Sequence, residues 1–182
     1  MSTPIAISNF DWPNEVNYEL VSEAARTVRE AWKQKRNYLK GSASDWIPTI
    51  NESLRNIKNK CGNPDWDGFG ANLVSDQTIE NTELIIEVLH SMLPKGTPIP
   101  DVIAEADGEI CIDWTIDDFR LFSLSIGSHN IINFAGQYGK EGAIHGWQPV
   151  DKKSRDTVEK SLQDVVRQIN RLFPNLSKKR RS

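Results

Sequence analysis

The residues VIAEADGEICIDW, 102–114, carry the clearest local signal of the fold. Their Asp107-Gly108 pair lies between two β-rich runs, and such a pair is a hairpin turn signal of the type that needs positive φ. After the turn, every second residue from Ile110 to Trp114 is apolar, which places these side chains on one face of a strand. The stretch therefore predicts a β-hairpin with one buried face and one face at least partly in contact with water.

Further period-two patterns continue after this hairpin, and the turns between them are short. Short connections force neighbouring strands to be antiparallel, which makes the sheet a meander. The predicted strands are Val102–Ala106, Glu109–Thr115, Phe119–Ile126, His129–Ala135 and Ala143–Trp147. The sequence thus predicts an α+β fold, in which an antiparallel β-meander of four to five strands has helices packed on one face.

Apolar residues at three- and four-residue steps predict the helices. They indicate an N-terminal helical pair, a helix after the glycine-rich motif and a C-terminal helix. The predicted spans are Tyr18–Tyr38, Trp46–Lys60 with Ser44 or Asp45 as N-cap, a third helix capped by Ser75 and stopped by Pro94, and Lys152–Phe173. These elements divide the chain into an N-terminal arm and helical region over 1–62, a core domain over 63–176 and a basic tail over 177–182.

Composition narrows the class of protein. The chain has 182 residues, 38% of them hydrophobic and 26% charged, which is typical of a globular protein with one core. No run has the roughly 18 apolar residues of a membrane span, and the N-terminus lacks the order of a secretion signal, so we expect a cytoplasmic protein with no membrane contact. Cys61 and Cys111 are too few for a disulfide framework or a zinc site, and two buried, reduced thiols are expected.

The motif DWDGFGA, residues 65–71, puts two aromatics and two glycines into seven residues. Such a loop is either a structural corner or a binding site, because glycines permit conformations that side chains forbid. Trp66 can close the end of the core while Asp67 accepts hydrogen bonds from loop amides, or the indole can stack on a ligand together with Phe69.

The motif and the segments after it resemble a known group of sequences. The segment from Trp66 to Ala71, the helix, Pro98-x-Pro100 and the Asp107-to-Trp114 segment are similar to small uncharacterised bacterial proteins with a Trp-Asp-Gly-Tyr-Gly-Ala motif. This chain has Phe69 where the group usually has tyrosine. The resemblance covers roughly residues 63–135 and implies a bacterial or phage setting among accessory or mobile genes, and not a reaction.

Acidic side chains near the hairpin suggest a second kind of site. Within the acidic set Asp101, Glu105, Asp107, Glu109 and Asp113, the candidate metal ligands are Glu109 and Asp113, because carboxylates on adjacent strands can together bind a divalent cation. A nuclease of the restriction type would add a lysine after the second acid, and no lysine follows either residue. A solvated sheet face explains the same acids, and no cofactor is expected.

The segment from Gly136 to Trp147 is a further candidate. Its glycine-rich first part predicts a flexible loop that carries Tyr138, and His145 and Trp147 follow on a strand as a binding edge. An ordinary hairpin loop is the alternative.

Basic residues form the last candidate site. Lys178, Lys179, Arg180 and Arg181 make up a basic tail, although the net charge of the chain is only -3. Such a tail can contact nucleic-acid phosphates, or it can be a solvated terminus.

No catalytic constellation emerges from these patterns, and the sequence favours a non-catalytic protein-interaction or regulatory module of a bacterial accessory system. Toxin–antitoxin, phage-defence and mobile-element systems are examples of such an accessory system. The alternatives are a metal-dependent enzyme acting on nucleic acid or nucleotides, and a nucleic-acid-binding protein. A protein partner is expected, and the sequence leaves the oligomeric state open.

Overall fold

The computed structural model describes residues 46–140, 142–174 and 176. These residues fall within one of the two compact units of the chain, Ser42–Ser182. The predictions for the N-terminal arm, for a helix at Tyr18–Tyr38 and for the tail at 177–182 lie outside the described residues.

The predicted meander is confirmed. Five strands form one antiparallel sheet in the order of the sequence. They are β1 (Asp101–Ala104), β2 (Ile110–Asp117), β3 (Arg120–Ile126), β4 (Ile131–Tyr138) and β5 (Ala143–Pro149). Hairpins connect all of them, and the described part of the chain is α+β, as the sequence predicts.

Three helices accompany the sheet: α1 (Ile47–Cys61), α2 (Asp76–Met92) and α3 (Arg155–Leu172). They bury the sheet face that carries Ile112, Phe122 and Leu124, each of which is fully buried. The opposite face, called the outer face below, carries the alternate residues of each strand, which are half-buried or exposed. None of the helices in the described ranges has the length and apolar character that a bilayer crossing requires.

Helix α1 belongs to the same core as the sheet. Its buried side chains Ile50, Leu54 and Ile57, together with Trp46 just before the helix, lie in one hydrophobic cluster with the buried residues of β2 and β3. The sequence predicted a core domain that starts at residue 63. Helix α1 ends before that boundary, yet its apolar face lies inside the core.

The helix starts follow from their caps, with one correction. Ser75 caps α2 as predicted, and its hydroxyl accepts a hydrogen bond from the backbone N–H of Thr78. The prediction that Ser44 or Asp45 caps α1 is wrong, because the N-cap is Trp46 and makes no side-chain capping bond. Pro48 lies in the first turn, where a missing backbone N–H costs nothing.

The hairpin between β1 and β2 turns at Gly108. Gly108 has φ +87°, whereas Asp107 keeps a negative φ, and the N–H of Gly108 donates to the carbonyl of Glu105 at 3.0 Å. A Cβ at residue 108 would lie 2.6 Å from the carbonyl oxygen of Leu73, so glycine is required by both conformation and space.

The expected flexible loop from Gly136 is wrong in part, because β4 continues to Tyr138. Gly136 pairs with Phe122 across the sheet, and a Cβ there would lie 2.8 Å from the Phe122 ring. This glycine lets aromatic side chains pack closely and does not mark a turn.

Candidate interaction site

The residues from Asp65 to Ala71, called the motif loop below, connect α1 to α2 in an unusual backbone conformation. Asp65, Gly68 and Gly70 have φ values of 60°, 75° and 90°. Positive φ is uncommon for a residue with a side chain, and asparagine and aspartate tolerate it best. The loop closes on itself through a hydrogen bond from the N–H of Asp65 to the carbonyl of Ala71, 2.7 Å long.

Two carboxylates hold the tip of the motif loop. Oδ1 of Asp67 accepts hydrogen bonds from the backbone N–H groups of Phe69 at 2.8 Å and of Ala71 at 3.1 Å. Oδ1 of Asp65 accepts one from the N–H of Gly70 at 2.7 Å. Hydrogen bonds to charged acceptors are stronger than neutral ones, so the tip has a defined shape. Asp67 therefore has a structural role in the loop.

Trp66 points into the protein. Its side chain is half-buried against the hydrophobic core, and its indole Nε1 donates to the carbonyl of Asn72 at 2.9 Å. An indole whose N–H is hydrogen-bonded within the same loop can cover the end of a hydrophobic core. The structural interpretation of Trp66 thus accounts for its surroundings.

The motif loop is also fastened to the sheet. The backbone N–H of Asn72 donates to the carbonyl of Ala106 at 2.8 Å, and its side-chain Nδ2 donates to the carbonyl of Asp107 at 3.3 Å. On the helix side, the N–H of Val74 donates to the carbonyl of Cys61 at 2.8 Å. The loop therefore has a fixed position relative to β1 and α1.

Phe69 projects from this fixed loop into solvent. Its side chain is 94% exposed, the highest exposure among the large hydrophobic residues of the described chain. Leu73, just beyond the loop, is 41% exposed. An exposed aromatic side chain on a loop with an ordered backbone is the kind of group that anchors protein–protein contacts. The sequence indicated Phe69 but not Leu73. Leu73 and its neighbour Val74 are both aliphatic, and only the structure shows that Val74 is buried while Leu73 is exposed.

His145 and Trp147 lie on the outer face of β5, as a strand at this place predicts. Both are exposed, and Trp147 retains 66% of its accessible surface. Trp147 faces Asn133 across the sheet, and the 46% exposed Ile131 lies diagonally from it on β4. Sequence reasoning missed Ile131. Its position two residues before Asn133 on a predicted strand could have indicated that both side chains lie on the same face of the sheet.

Tyr138 lies at the end of β4 and contacts α3, so it is not part of a flexible binding loop. Its hydroxyl donates towards the backbone carbonyl of Gln168 at 3.2 Å, and the guanidinium of Arg171 lies 4.1 Å from the ring centroid. Burial raises the pKa of the Tyr138 hydroxyl, and the positive charge of Arg171 partly opposes this rise. Tyr138 therefore ties β4 to α3.

The two candidate metal ligands, Glu109 and Asp113, accept hydrogen bonds from serines of the neighbouring strand. Oδ1 of Asp113 accepts from the Ser123 hydroxyl at 2.5 Å, and Oε2 of Glu109 accepts from the Ser125 hydroxyl. The two acids are four residues apart on the same face, about 13 Å along an extended strand. Among the residues that the structure describes, no group of three histidine, cysteine, aspartate or glutamate side chains could hold a metal ion.

Cys111 lies beside Asp113 on the outer face, and its Sγ donates to Oδ1 of that carboxylate at 3.2 Å. Burial and the negative charge of Asp113 raise the pKa of the Cys111 thiol to about 12. Burial likewise raises the pKa of Cys61, which lies at the end of α1. Both cysteines are free thiols, and neither has the low pKa of a nucleophile.

The basic tail, Lys178 to Arg181, lies outside the described residues. Comparison of the whole chain with protein-family models, with curated proteins and with solved structures finds no match in any of the three.

Proposed function

We propose that this chain is a non-catalytic protein-interaction module and that Phe69 at the tip of the motif loop is its anchor residue. A cytoplasmic location and a bacterial accessory system are part of this proposal; the location rests on the sequence pattern, and the bacterial accessory setting rests on the sequence resemblance. The observation that carries the proposal is the 94% exposure of Phe69 on a loop held by its own hydrogen bonds.

The energetics of binding support an anchor of this kind. A flexible side chain or loop loses conformational entropy when it binds, and a loop that is already ordered avoids most of that cost. Here the carboxylates of Asp65 and Asp67 fix the backbone on both sides of Phe69. The ring itself has two rotatable bonds, so its immobilisation costs little.

The surroundings of Phe69 indicate the chemistry of the partner. The ring projects into solvent, so a partner that buries it must supply an apolar pocket, and the exposed Leu73, four residues further along the chain, is a second apolar side chain near the loop. Truncating an anchor residue at the centre of an interface typically costs about 2 kcal/mol or more, which corresponds to ~30-fold in Kd.

Affinity capture of the tagged full chain from its host, after nuclease treatment, tests the proposal. We expect the unaltered chain to retain a stoichiometric protein and Phe69→Ala to lose it. Phe69→Tyr keeps the ring and should keep the partner.

Phe119→Ala is the matched control, since Phe119 is also an exposed phenylalanine, at 45%, but lies in the turn between β2 and β3. Equal capture by the unaltered chain, Phe69→Ala and Phe119→Ala would contradict the role of Phe69. Recovery of the chain alone, or with nucleic acid only, would contradict the protein-interaction function as a whole.

A further inference from the structure

The outer edge of β5 has backbone groups that no described strand satisfies. The N–H of Val150 donates to the carbonyl of Asn130, and the N–H of Tyr138 donates to the carbonyl of Gly142. Because hydrogen bonding alternates along an antiparallel strand, the backbone N–H and C=O groups of the even-numbered residues of β5 point towards β4. The N–H and C=O groups of Ala143, His145 and Trp147 therefore point away from the sheet.

The opposite edge of the sheet is protected in ways that this edge is not. β1 has four residues, it carries Asp101, and the carbonyl of Ala106 just beyond it accepts a hydrogen bond from the motif-loop neighbour Asn72. Short length, charge and a covering loop are the usual devices that prevent edge pairing.

β5 has seven residues and contains no aspartate, glutamate, lysine or arginine. Pro149 stands at its last position, where its missing N–H limits pairing at that end alone. Among the residues that the structure describes, the edge between Ala143 and Trp147 is thus long, uncharged and not paired with another strand.

We propose that the edge of β5 pairs antiparallel with the same edge of a second copy of this chain, about a two-fold axis at His145. In this register His145 faces His145 of the partner subunit, and Trp147 faces Ala143 of the partner subunit. Each facing pair exchanges two backbone hydrogen bonds, and the two sheets become continuous. The dimer is separate from the Phe69 contact and does not depend on it.

The side chains of β5 are complementary to themselves in this register. On the outer face the large indole of Trp147 lies against the small Ala143 of the partner subunit. On the inner face Ile144 lies against Gly146 of the partner subunit, because the two residues are equally far from His145. Gly146 has no room for a Cβ, which would lie 2.8 Å from the Phe134 ring. On each face, the pairs that flank the two-fold axis therefore place a large residue against a small one, which lets the cross-strand side chains pack.

Charge also favours a second copy as the occupant. A sheet edge without charged side chains can approach its own copy without like-charge repulsion, even though each chain has a net charge of -3. Trp147 is 66% exposed in the single chain and would lose much of that surface in the dimer.

Charge substitutions at the two-fold axis test the proposal on the full chain. Light scattering coupled to size exclusion should give the unaltered chain about twice its 20.6 kDa mass. His145→Glu and His145→Lys each place like charges opposite one another, and we expect both variants to be monomers. An equimolar mixture of the two should form a heterodimer, which native mass spectrometry distinguishes by mass.

His129→Glu is the matched control, because His129 is exposed in the turn between β3 and β4 and should leave the dimer intact. Phe69→Ala should also remain a dimer, which separates this result from the protein-interaction function. The proposal is overturned if the unaltered chain is a monomer across micromolar concentrations, if either His145 variant stays dimeric, or if the mixture stays monomeric.

Discussion

Trp66 and Phe69 are close neighbours in one loop and face opposite environments. The Trp66 ring packs against the core and donates a hydrogen bond within the loop, while Phe69 is 94% exposed. The residue type alone does not distinguish them, because both are aromatic and a glycine lies within two residues after each. The backbone of this loop has positive φ values at Asp65 and Gly68, a conformation that a periodic sequence pattern does not reveal.

Truncating these two rings should therefore have different effects on stability. Trp66→Ala removes core contacts and a satisfied indole, and we expect the free energy of unfolding to fall by about 2–4 kcal/mol. Phe69→Ala should change it by less than about 0.5 kcal/mol, as an exposed substitution does. Urea denaturation of the two variants checks this, and equal losses would show that Phe69 also has a structural role.

The chemistry of Cys111 gives a pH-dependent prediction. Its pKa of about 12 means that the native thiol is protonated at pH 8, and we expect slow labelling by iodoacetamide that speeds up only towards that pKa. The folded state also holds this proton more tightly than the unfolded chain, whose thiol has a value near 9.0, so this group lowers stability as pH rises from 9 towards 12. Fast labelling of Cys111 at pH 8 without denaturant would contradict the assignment.

At the scale of elements, local signals predicted most of what the structure contains. Ser75 before an acidic first turn predicted the start of α2, and the Asp107-Gly108 pair predicted the first hairpin. Contacts between distant segments were not predictable from the sequence. Asn81 on α2, for example, is buried and donates to the carbonyl of Gly127 at 2.7 Å. Gly136 was interpreted as a loop residue. The structural reason for this glycine is an aromatic ring on the neighbouring strand, which no local pattern indicates.

The start of α3 provides a test at this scale. Ser154 and Thr157 form a reciprocal capping box, in which each side chain bonds the backbone N–H of the other. Ser154→Ala should lower the free energy of unfolding by about 1 kcal/mol. Ser91→Ala, at an exposed serine near the end of α2, is the control, and a change as large as that of Ser154→Ala would contradict the capping argument.

For the whole molecule, the sequence correctly predicted the α+β class and the order of the strands in the sheet. It placed the start of the core domain at residue 63, whereas in the structure α1 contributes to the core. The apolar stripe of α1 was visible, yet nothing local shows which face of which sheet a helix covers. That pairing depends on all of the buried surfaces together, and α1 with its N-cap supplies five residues to the common cluster, from Trp46 to Cys61.

The boundary itself can be tested with two fragments. A fragment of residues 42–182 contains the whole compact unit and should unfold cooperatively. A fragment of residues 63–182 lacks α1, exposes the apolar surface that α1 covers, and should unfold without a sharp transition. Circular dichroism during heating compares them, and a cooperative transition in the shorter fragment would show that α1 is not part of the core.

The protein-interaction function is tested most directly by titrating the captured, purified partner with the unaltered chain and its variants in a calorimeter. We predict that Phe69→Ala weakens binding ~30-fold or more, and that Phe69→Tyr and Phe119→Ala bind within a few-fold of the unaltered chain. Binding by Phe69→Ala with unchanged Kd would contradict the role of Phe69 as the anchor, because the exposed ring would then contribute nothing to recognition.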